Sequence, residues 1–252
     1  MNRIVLWVSV VSGITCRNRW LAAVILQCSV LTAFAANPNP LAGRSVVVGG
    51  TNAKVTPCFP CHGLDGVGDG SGAFPRLTGQ PAFYLYKQLM DYASGSRPNA
   101  IMSPIAKELD PQQMLDVAAY YATLKAPYRP PPEVDPQLLE QGRRLADPDQ
   151  AEPDQACAYC HGDNGKGMGP SFPYLAGQYA PYTEFQLQLW QRKQRRNDPF
   201  NVMAHIARRL NDDDIKALAL YFETLRPGDD TRDTASGSVS TIQEALDRAR
   251  SR

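Results

Sequence analysis

Two five-residue segments of this 252-residue chain share the pattern Cys-x-x-Cys-His: CFPCH at 58–62 and CAYCH at 157–161. Two thiols at this spacing can each form a thioether with a vinyl group of one haem, and the adjacent histidine can then bind the iron. The pattern is typical of covalent haem c attachment. We therefore expect two covalently bound haem c groups, with His62 and His161 as iron ligands. The four predicted attachment residues are Cys58, Cys61, Cys157 and Cys160.

Three other kinds of site use cysteine pairs, and the sequence favours none of them. A structural zinc site normally has its cysteine pairs much closer together in sequence, and further ligands are scarce in this chain. A thioredoxin-like redox pair lies in a βαβ pattern, which the sequence does not contain. Two disulfides would not require a histidine after each pair. Haem attachment accounts for both histidines as well as for the four cysteines.

The two motifs belong to a longer internal repeat, in which matching residues lie 98 to 101 positions apart. The segment FPRLTGQPAFY at 74–84 matches FPYLAGQYAPY at 172–182, and DPQQMLDVAAYYATL at 110–124 matches NDDDIKALALYFETL at 211–225. The offset changes only in expected loops, as it does after duplication of a domain. The repeat therefore predicts two small tandem domains, each of a size that usually needs a cofactor for stability.

The repeat also selects a second ligand for each iron. Met102 and Met203 stand in matching positions, 40 and 42 residues after the two motif histidines. Met90 aligns with a glutamine, Met114 aligns with an isoleucine on a core stripe, and Met168 has no methionine in its partner segment. We predict that Met102 and Met203 bind the two irons, although two core methionines matched by descent are the alternative. A thioether ligand holds the reduction potential high relative to a second histidine.

The third histidine of the chain, His205, lies two residues after Met203. It aligns with Pro104, whose side chain cannot bind a metal. A duplicated site is not expected to change its ligand while keeping the old one in register. We therefore predict that Met203 binds the second iron and that His205 is a neighbour of that site.

Two prolines are candidates for orienting the iron-binding histidines. A histidine that binds a metal usually donates its other ring N–H to a carboxylate, a backbone carbonyl or water, which fixes the orientation of the ring. Pro75 and Pro173 follow the two histidines by about a dozen residues, a distance along the chain that permits this contact. The alternative is that both prolines only turn the chain.

No segment alternates like a strand, so the predicted fold class is all-α. The last helix of each copy should begin at a capping residue, Asp110 or Asn211, and Gln113 should complete a capping box in the first copy. A short helix is expected at 138–145, before the second cysteine pair. Its counterpart at 42–54, AGRSVVVGGTNAK, is rich in valine and glycine, so we expect a stunted opening helix in the first copy.

The amino terminus has the layout of a secretory signal, with Arg17 and Arg19 before an apolar run at 20–35 that ends in small residues. Such a signal would direct export to the periplasm, with cleavage expected after Ala35 or Ala36. An uncleaved segment would leave the protein membrane-associated. The predicted organisation is a signal peptide at 1–35, a first domain at 36–126, a proline-rich linker at 127–136, a second domain at 137–226 and a disordered tail at 227–252.

Taken together, these motifs resemble those of the dihaem class I cytochromes c, specifically the cytochrome c4 family. The resemblance covers residues 40–226 and includes PRLTGQ followed by YLYKQL, and NAIMSPIA before the last helix of the first copy. It implies two tandem all-α cytochrome domains, each with a haem c that is bound by histidine and methionine. It also implies that Pro75 and Pro173 support the histidines.

The resemblance further implies a one-electron carrier in the bacterial periplasm, which connects dehydrogenases or quinol-oxidising complexes to a terminal oxidase or reductase. Its partners would be redox proteins, including a membrane-bound oxidase. It would be a monomer, would have no small-molecule substrate and would transfer electrons without being an enzyme itself. Two alternatives remain: a haem subunit dedicated to one dehydrogenase, and a dihaem peroxidase. The formal net charge of +1 argues against nucleic acid as a partner.

A run of basic residues, RKQRR at 192–196, precedes the second methionine loop, and Arg208 and Arg209 follow it. One interpretation is a surface that binds an acidic partner beside the second haem and speeds encounter. The other is a solvated basic helix end that the helix dipole favours.

Overall fold

The computed structural model describes residues 37–50, 56–151 and 156–226. In these ranges the chain forms helices and loops, and the single β feature is an isolated bridge between Met168 and Phe172. The predicted all-α fold is therefore confirmed. No helix in the described part of the chain is long and apolar enough to cross a bilayer. The predicted signal peptide and C-terminal tail lie outside the described residues.

Within the described ranges, each half contains five α-helices in the same order: an opening helix, a short helix with the cysteine motif, a long helix, a short helix with the candidate methionine and a final helix. In the first half they are α1 Pro40–Gly49, α2 Phe59–His62, α3 Ala82–Ser94, α4 Met102–Lys107 and α5 Pro111–Thr123. In the second half they are α6 Pro136–Ala146, α7 Ala158–His161, α8 Ala180–Gln191, α9 Val202–Ala207 and α10 Asp212–Thr224.

The opening helix of each half crosses the final helix at a glycine. A Cβ atom on Gly43 would lie 2.0 Å from the backbone oxygen of Asp116, and one on Gly142 would lie 2.3 Å from that of Ala217. Two helices can approach this closely only where one of them has no side chain. Because Gly43 and Gly142 match in the repeat, the same crossing is built twice.

The prediction of a stunted opening helix in the first half is wrong. Helix α1 has 10 residues, one fewer than its counterpart α6. The Asn39 side chain caps it by accepting from the backbone N–H groups of Leu41 and Ala42, while Val46 and Val47 are buried in the core. Intrinsic helix propensity is a weak preference, and here burial against α5 overrides the low propensity of three consecutive valines.

The predicted starts of the final helices are confirmed. The Asp110 side chain accepts a hydrogen bond from the backbone N–H of Gln113, and the backbone N–H of Asp110 donates to Oε1 of Gln113, each at 2.9 Å. Asn211 and Asp214 form the matching capping box at α10. The residues on the inner faces of both helices are buried, as the repeat indicates. They are Met114, Leu115, Ala118, Tyr121 and Ala122 in α5, and Ile215, Leu218, Ala219 and Phe222 in α10.

The chain between the halves, residues 124–135, has no helix and contacts both halves. From the second half, Arg226 donates to the carbonyl oxygen of Arg129 at 2.5 Å. Arg76 donates to the carbonyl oxygens of Pro127, at 3.1 Å, and of Ala126, at 2.6 Å. Its guanidinium also lies 4.0 Å from the centre of the Tyr128 ring. These contacts hold the connecting segment on the body of the protein.

The helix crossing leads to a stability prediction. Gly142→Ala places a methyl group against the backbone of α10, so we expect a loss of about 1–3 kcal/mol in the free energy of unfolding, although alanine is the better helix former. Denaturant unfolding of the cofactor-loaded protein measures the change. Gly49→Ala is the matched control, because a Cβ atom there meets nothing within 4 Å. Equal stability of Gly142→Ala and the unchanged protein would contradict the close crossing.

Candidate functional site

Both cysteine motifs adopt the same local structure. The carbonyl oxygen of Cys58 accepts from the backbone N–H of His62 at 3.0 Å, and that of Cys157 accepts from His161 at 2.9 Å. This single helical turn brings the thiols and the imidazole of each motif to the wall of a cavity. None of the four motif cysteines forms a disulfide. The structure therefore presents, twice, two thiols and one histidine to the same space.

Burial controls the protonation of these groups. It raises the pKa of the Cys58 thiol to about 11 and that of Cys157 to about 12, and Cys61 also raises the pKa of Cys58. Burial lowers the pKa of His62 and of His161. Burial thus favours the neutral thiol at Cys58 and Cys157 and the neutral imidazole at His62 and His161.

Each motif histidine contacts the carbonyl oxygen of the proline named from the sequence. The Nδ1 atom of His62 lies 3.3 Å from the oxygen of Pro75, and Nδ1 of His161 lies 2.9 Å from that of Pro173. A carbonyl can only accept a hydrogen bond, so Nδ1 carries the proton and Nε2 keeps its lone pair for another partner. A phenylalanine ring lies edge-on to each imidazole, with 6.2 Å between the ring centroids in both halves.

The candidate methionines line the same cavity. Met102 begins α4, Met203 lies in α9, and both are half-buried. His205 is exposed and is not among the residues that line the cavity. The other methionines discussed above are placed elsewhere: Met114 is buried in the core, and Met90 and Met168 are exposed.

The cavity is continuous through both halves and has a volume of about 740 Å³. Its walls include residues of both cysteine motifs, both motif histidines and both candidate methionines. The two predicted sites therefore share one internal space. Polar residues of a junction between the halves also line it.

One part of this junction is a reciprocal pair of glutamine contacts. Gln80 donates to the carbonyl oxygen of Tyr174 at 2.8 Å and accepts from its N–H at 2.9 Å. Gln178 makes the same two bonds, each 3.0 Å long, with the backbone of Arg76. Gln80 matches Gln178 and Arg76 matches Tyr174 in the repeat. The halves thus meet through a local pseudo-two-fold arrangement.

A second reciprocal set brings two arginines together in the interior. The guanidinium of Arg97 donates to Gln88, at 2.9 Å, and to Gln186, at 2.6 Å. The guanidinium of Arg195 donates to the same two glutamine oxygens, at 3.1 and 2.7 Å. Both arginines are only 4% exposed, and no carboxylate lies within 4.0 Å of either among the described residues. Burial and the neighbouring Arg97 lower the pKa of Arg195.

These arginines make the middle of the cavity suited to an anionic group. Two buried like charges without a nearby carboxylate are unfavourable unless a negative partner offsets them. Trp190 also lines the cavity, and its buried Nε1 has no acceptor in the described part of the chain. The N–H donors in this region therefore match the acid groups of a metal-containing cofactor that carries carboxylates.

The position of Arg195 corrects one interpretation of the basic run at 192–196. Arg195 is buried and lies 3.9 Å above the Trp190 ring, so it is neither a solvated residue nor part of a surface that a partner could contact. Its neighbours Arg192, Lys193 and Arg196 are exposed. The two interpretations, a solvated helix end and a surface that binds a partner, thus apply only to the exposed cations of the run and to Arg208 and Arg209.

Sequence reasoning missed the residues of the junction, although the repeat contains their signal. Each pair matches at an offset of 98 residues, within or next to segments that identify the duplication. The pairs are Gln80 with Gln178, Gln88 with Gln186 and Arg97 with Arg195. A match between copies shows that a residue type recurs, but it does not show which faces of the two copies meet.

Comparisons with known proteins agree with this architecture. A family model described as Cytochrome c matches residues 51–125 and 141–226. The chain is 43% identical over 175 residues to a thiosulfate dehydrogenase electron acceptor of Stutzerimonas stutzeri, which covers 69% of this chain and 81% of that protein.

Two solved structures are similar to the chain. Reduced cytochrome c4 of Pseudomonas stutzeri has 34% identity and a TM-score of 0.64, with 75% of this chain and 100% of that chain covered. A thiosulfate dehydrogenase of Marichromatium purpuratum has 37% identity and a TM-score of 0.66. That match covers 73% of this chain and 40% of the dehydrogenase chain.

The glutamine contacts lead to a second stability prediction. Gln80→Ala and Gln178→Ala each remove the two hydrogen bonds to the backbone of the other half, at Tyr174 and at Arg76 respectively. Each replacement should lower the free energy of unfolding by about 1–3 kcal/mol, as measured by denaturant unfolding of the cofactor-loaded protein. Gln137→Ala is the control, because Gln137 is exposed on α6. An equal loss in the control would contradict a specific role of the junction.

Proposed function

Because the chain belongs to the cytochrome c family and carries two of its domains in tandem, we propose that this dihaem electron carrier works in the periplasm between a dehydrogenase and a terminal oxidase or reductase. The protein has two covalently bound haem c groups and transfers electrons rather than catalysing a reaction itself. The observation that carries the proposal is the shared cavity, which is lined by both cysteine motifs and both candidate methionines. Electrons can then pass between the two haems inside the protein.

We assign the attachment and iron-binding roles to the residues that the cavity brings together. Cys58, Cys61, Cys157 and Cys160 would form the thioethers. His62 and His161 would bind the irons through Nε2, since the prolines occupy Nδ1. Met102 and Met203 would complete the two sites. When bound, a haem iron with two protein ligands supplies a one-electron couple whose ligands need not change between oxidation states.

The polar residues at the junction would hold the acid groups of the cofactors. Arg97 and Arg195 offer buried N–H donors beside the middle of the cavity, and the indole N–H of Trp190 has no protein acceptor in the described residues. Carboxylates there would neutralise two guanidinium groups that otherwise repel each other.

A second candidate function is a haem subunit that serves one dehydrogenase. It is favoured by the similarity to an electron acceptor of thiosulfate dehydrogenase over 81% of that protein's length. A dihaem peroxidase has less support, because it needs an acid–base residue beside an open iron position. His205 was the one imidazole available for that role, and it is exposed and off the cavity lining.

The ligand assignment is tested by comparing Met203 with its neighbour. Met203→Ala should remove about half of the methionine-to-iron charge-transfer absorption of the oxidised protein, because one of two thioether ligands is lost. Met102→Ala should remove the other half. His205→Ala is the matched control and should leave the spectrum unchanged. The assignment is wrong if the His205 variant loses the band and the Met203 variant keeps it.

The two candidate functions are separated by the lifetime of the complex with a dehydrogenase. The oxidised protein is mixed with the thiosulfate dehydrogenase of Stutzerimonas stutzeri and thiosulfate, and haem reduction is followed by absorbance. A free carrier should be reduced through a transient complex and then be reoxidised by membranes that contain a terminal oxidase. A dedicated subunit should co-elute with the enzyme in size-exclusion chromatography. Both functions would be contradicted if the dehydrogenase did not reduce the haems and the membranes did not exchange electrons with them.

A further inference from the structure

The loop before Met203 contains three residues that the first half lacks. Four residues separate the junction arginine from the candidate methionine in the first half, whereas seven separate them in the second. The extra residues are Asp198, Pro199 and Phe200. Asp198 Oδ2 accepts from the backbone N–H of Ala204 at 3.1 Å, which ties this loop to α9. The insertion is thus held beside the second site.

The insertion presents an aromatic ring to solvent in an unfavourable backbone conformation. Phe200 is 97% exposed and also belongs to the lining of the cavity, so this residue stands at the edge of that cavity. Its φ of 61° and the φ of 57° at Asn201 lie in the left-handed region, which bulky residues rarely adopt. Strain of this kind is typical of functional loops. Three of the four described non-glycine residues with positive φ lie between 193 and 201.

Five exposed cations lie on the segments that flank Phe200. The Gln191 side chain donates to the carbonyl oxygen of Leu210 at 2.8 Å, which brings the residues after α8 close to the end of α9. None of these cations has a carboxylate within 4.0 Å in the described ranges, although exposed Asp212 and Asp213 follow at the start of α10. The cations are Arg192, Lys193, Arg196, Arg208 and Arg209. We call these cations together with Phe200 the Phe200 face.

The corresponding surface of the first half has neither feature. The repeat aligns the five cations with two small residues, one proline, one lysine and one glutamate, so the aligned positions carry no net charge. The residues are Ser94, Gly95, Pro98, Lys107 and Glu108. Duplication alone would make the two faces alike. The second half has therefore diverged from the first at this surface.

We propose that the Phe200 face is the docking surface through which electrons enter or leave the second haem, and that it binds a redox protein with an apolar contact area rimmed by carboxylates. The proposal rests on the electron-carrier function given above. A partner seated over Phe200 would lie against the edge of the cavity that contains Met203, which shortens the path to the second iron. An aromatic residue surrounded by charged residues is the usual composition of a small interface with a steering field.

The test uses an acidic blue-copper protein of the plastocyanin type as the redox probe. Stopped-flow absorbance gives the second-order rate constant of electron transfer with the fully loaded protein. Arg208→Glu combined with Arg209→Glu should lower this constant about tenfold or more at low ionic strength, because attraction becomes repulsion. Phe200→Gly, which removes the ring and relieves the positive φ, should lower it about fivefold at high ionic strength. Phe200→Tyr should keep it.

Matched controls lie on other surfaces. Lys107→Glu combined with Lys125→Glu makes the same change in net charge away from the Phe200 face, and Leu41→Ala removes an apolar side chain that is 78% exposed. Neither control should change the rate constant more than about twofold.

Three results would overturn the proposal. The first is a rate constant that the Arg208/Arg209 and Phe200 variants leave unchanged, and the second is an equal decrease in the Lys107/Lys125 control. The third is loss of binding to phosphatidylglycerol vesicles in Phe200→Gly with an unchanged rate constant, which would assign the face to a lipid surface. In each case, reduction of both haems by ascorbate shows that the electron-carrier function itself still holds.

Discussion

Two guanidinium groups buried side by side are the constraint on which the arrangement of the two halves depends. Arg97 and Arg195 come from equivalent positions of the repeat and share the same two glutamine acceptors. Such a pair is costly to bury without negative charge, and both arginines line the cavity in which we propose that the acid groups of two cofactors lie. In that proposal the cofactors complete the junction of this cytochrome, together with the contacts between the two halves.

Much of the site could be predicted because its chemistry is local and is written twice. The motif histidines, the candidate methionines and the two prolines each depend on spacing within one copy, and the duplication separates Met203 from His205. Local capping was equally visible at Asp110 and Asn211. The structure then places these residues on one cavity, although only the proposed spectroscopy tests their role as ligands.

The errors and omissions have a common physical cause, which is that they depend on contacts between distant segments. Helix α1 is complete because Val46 and Val47 are buried against α5, and no local pattern contains that information. Arg195 lies in a run of basic residues that suggests a solvated surface, but its side chain packs on Trp190 and reaches the other half. The glutamine contacts likewise join residues 94 to 102 positions apart.

The reciprocal glutamine contacts have a consequence for how a protein of this kind can arise. A face that binds its own duplicate through a two-fold arrangement is the kind of face that makes identical subunits associate. A single-haem ancestor with such a face would have formed a homodimer, whose stability depended on how much protein was present. Joining two copies by the segment at 124–135 replaces that dependence with a fixed local concentration, on the order of millimolar for a short tether. Once the pair is covalent, each copy is free to diverge, and the loop with Phe200 is a change that no symmetric dimer could have confined to one side.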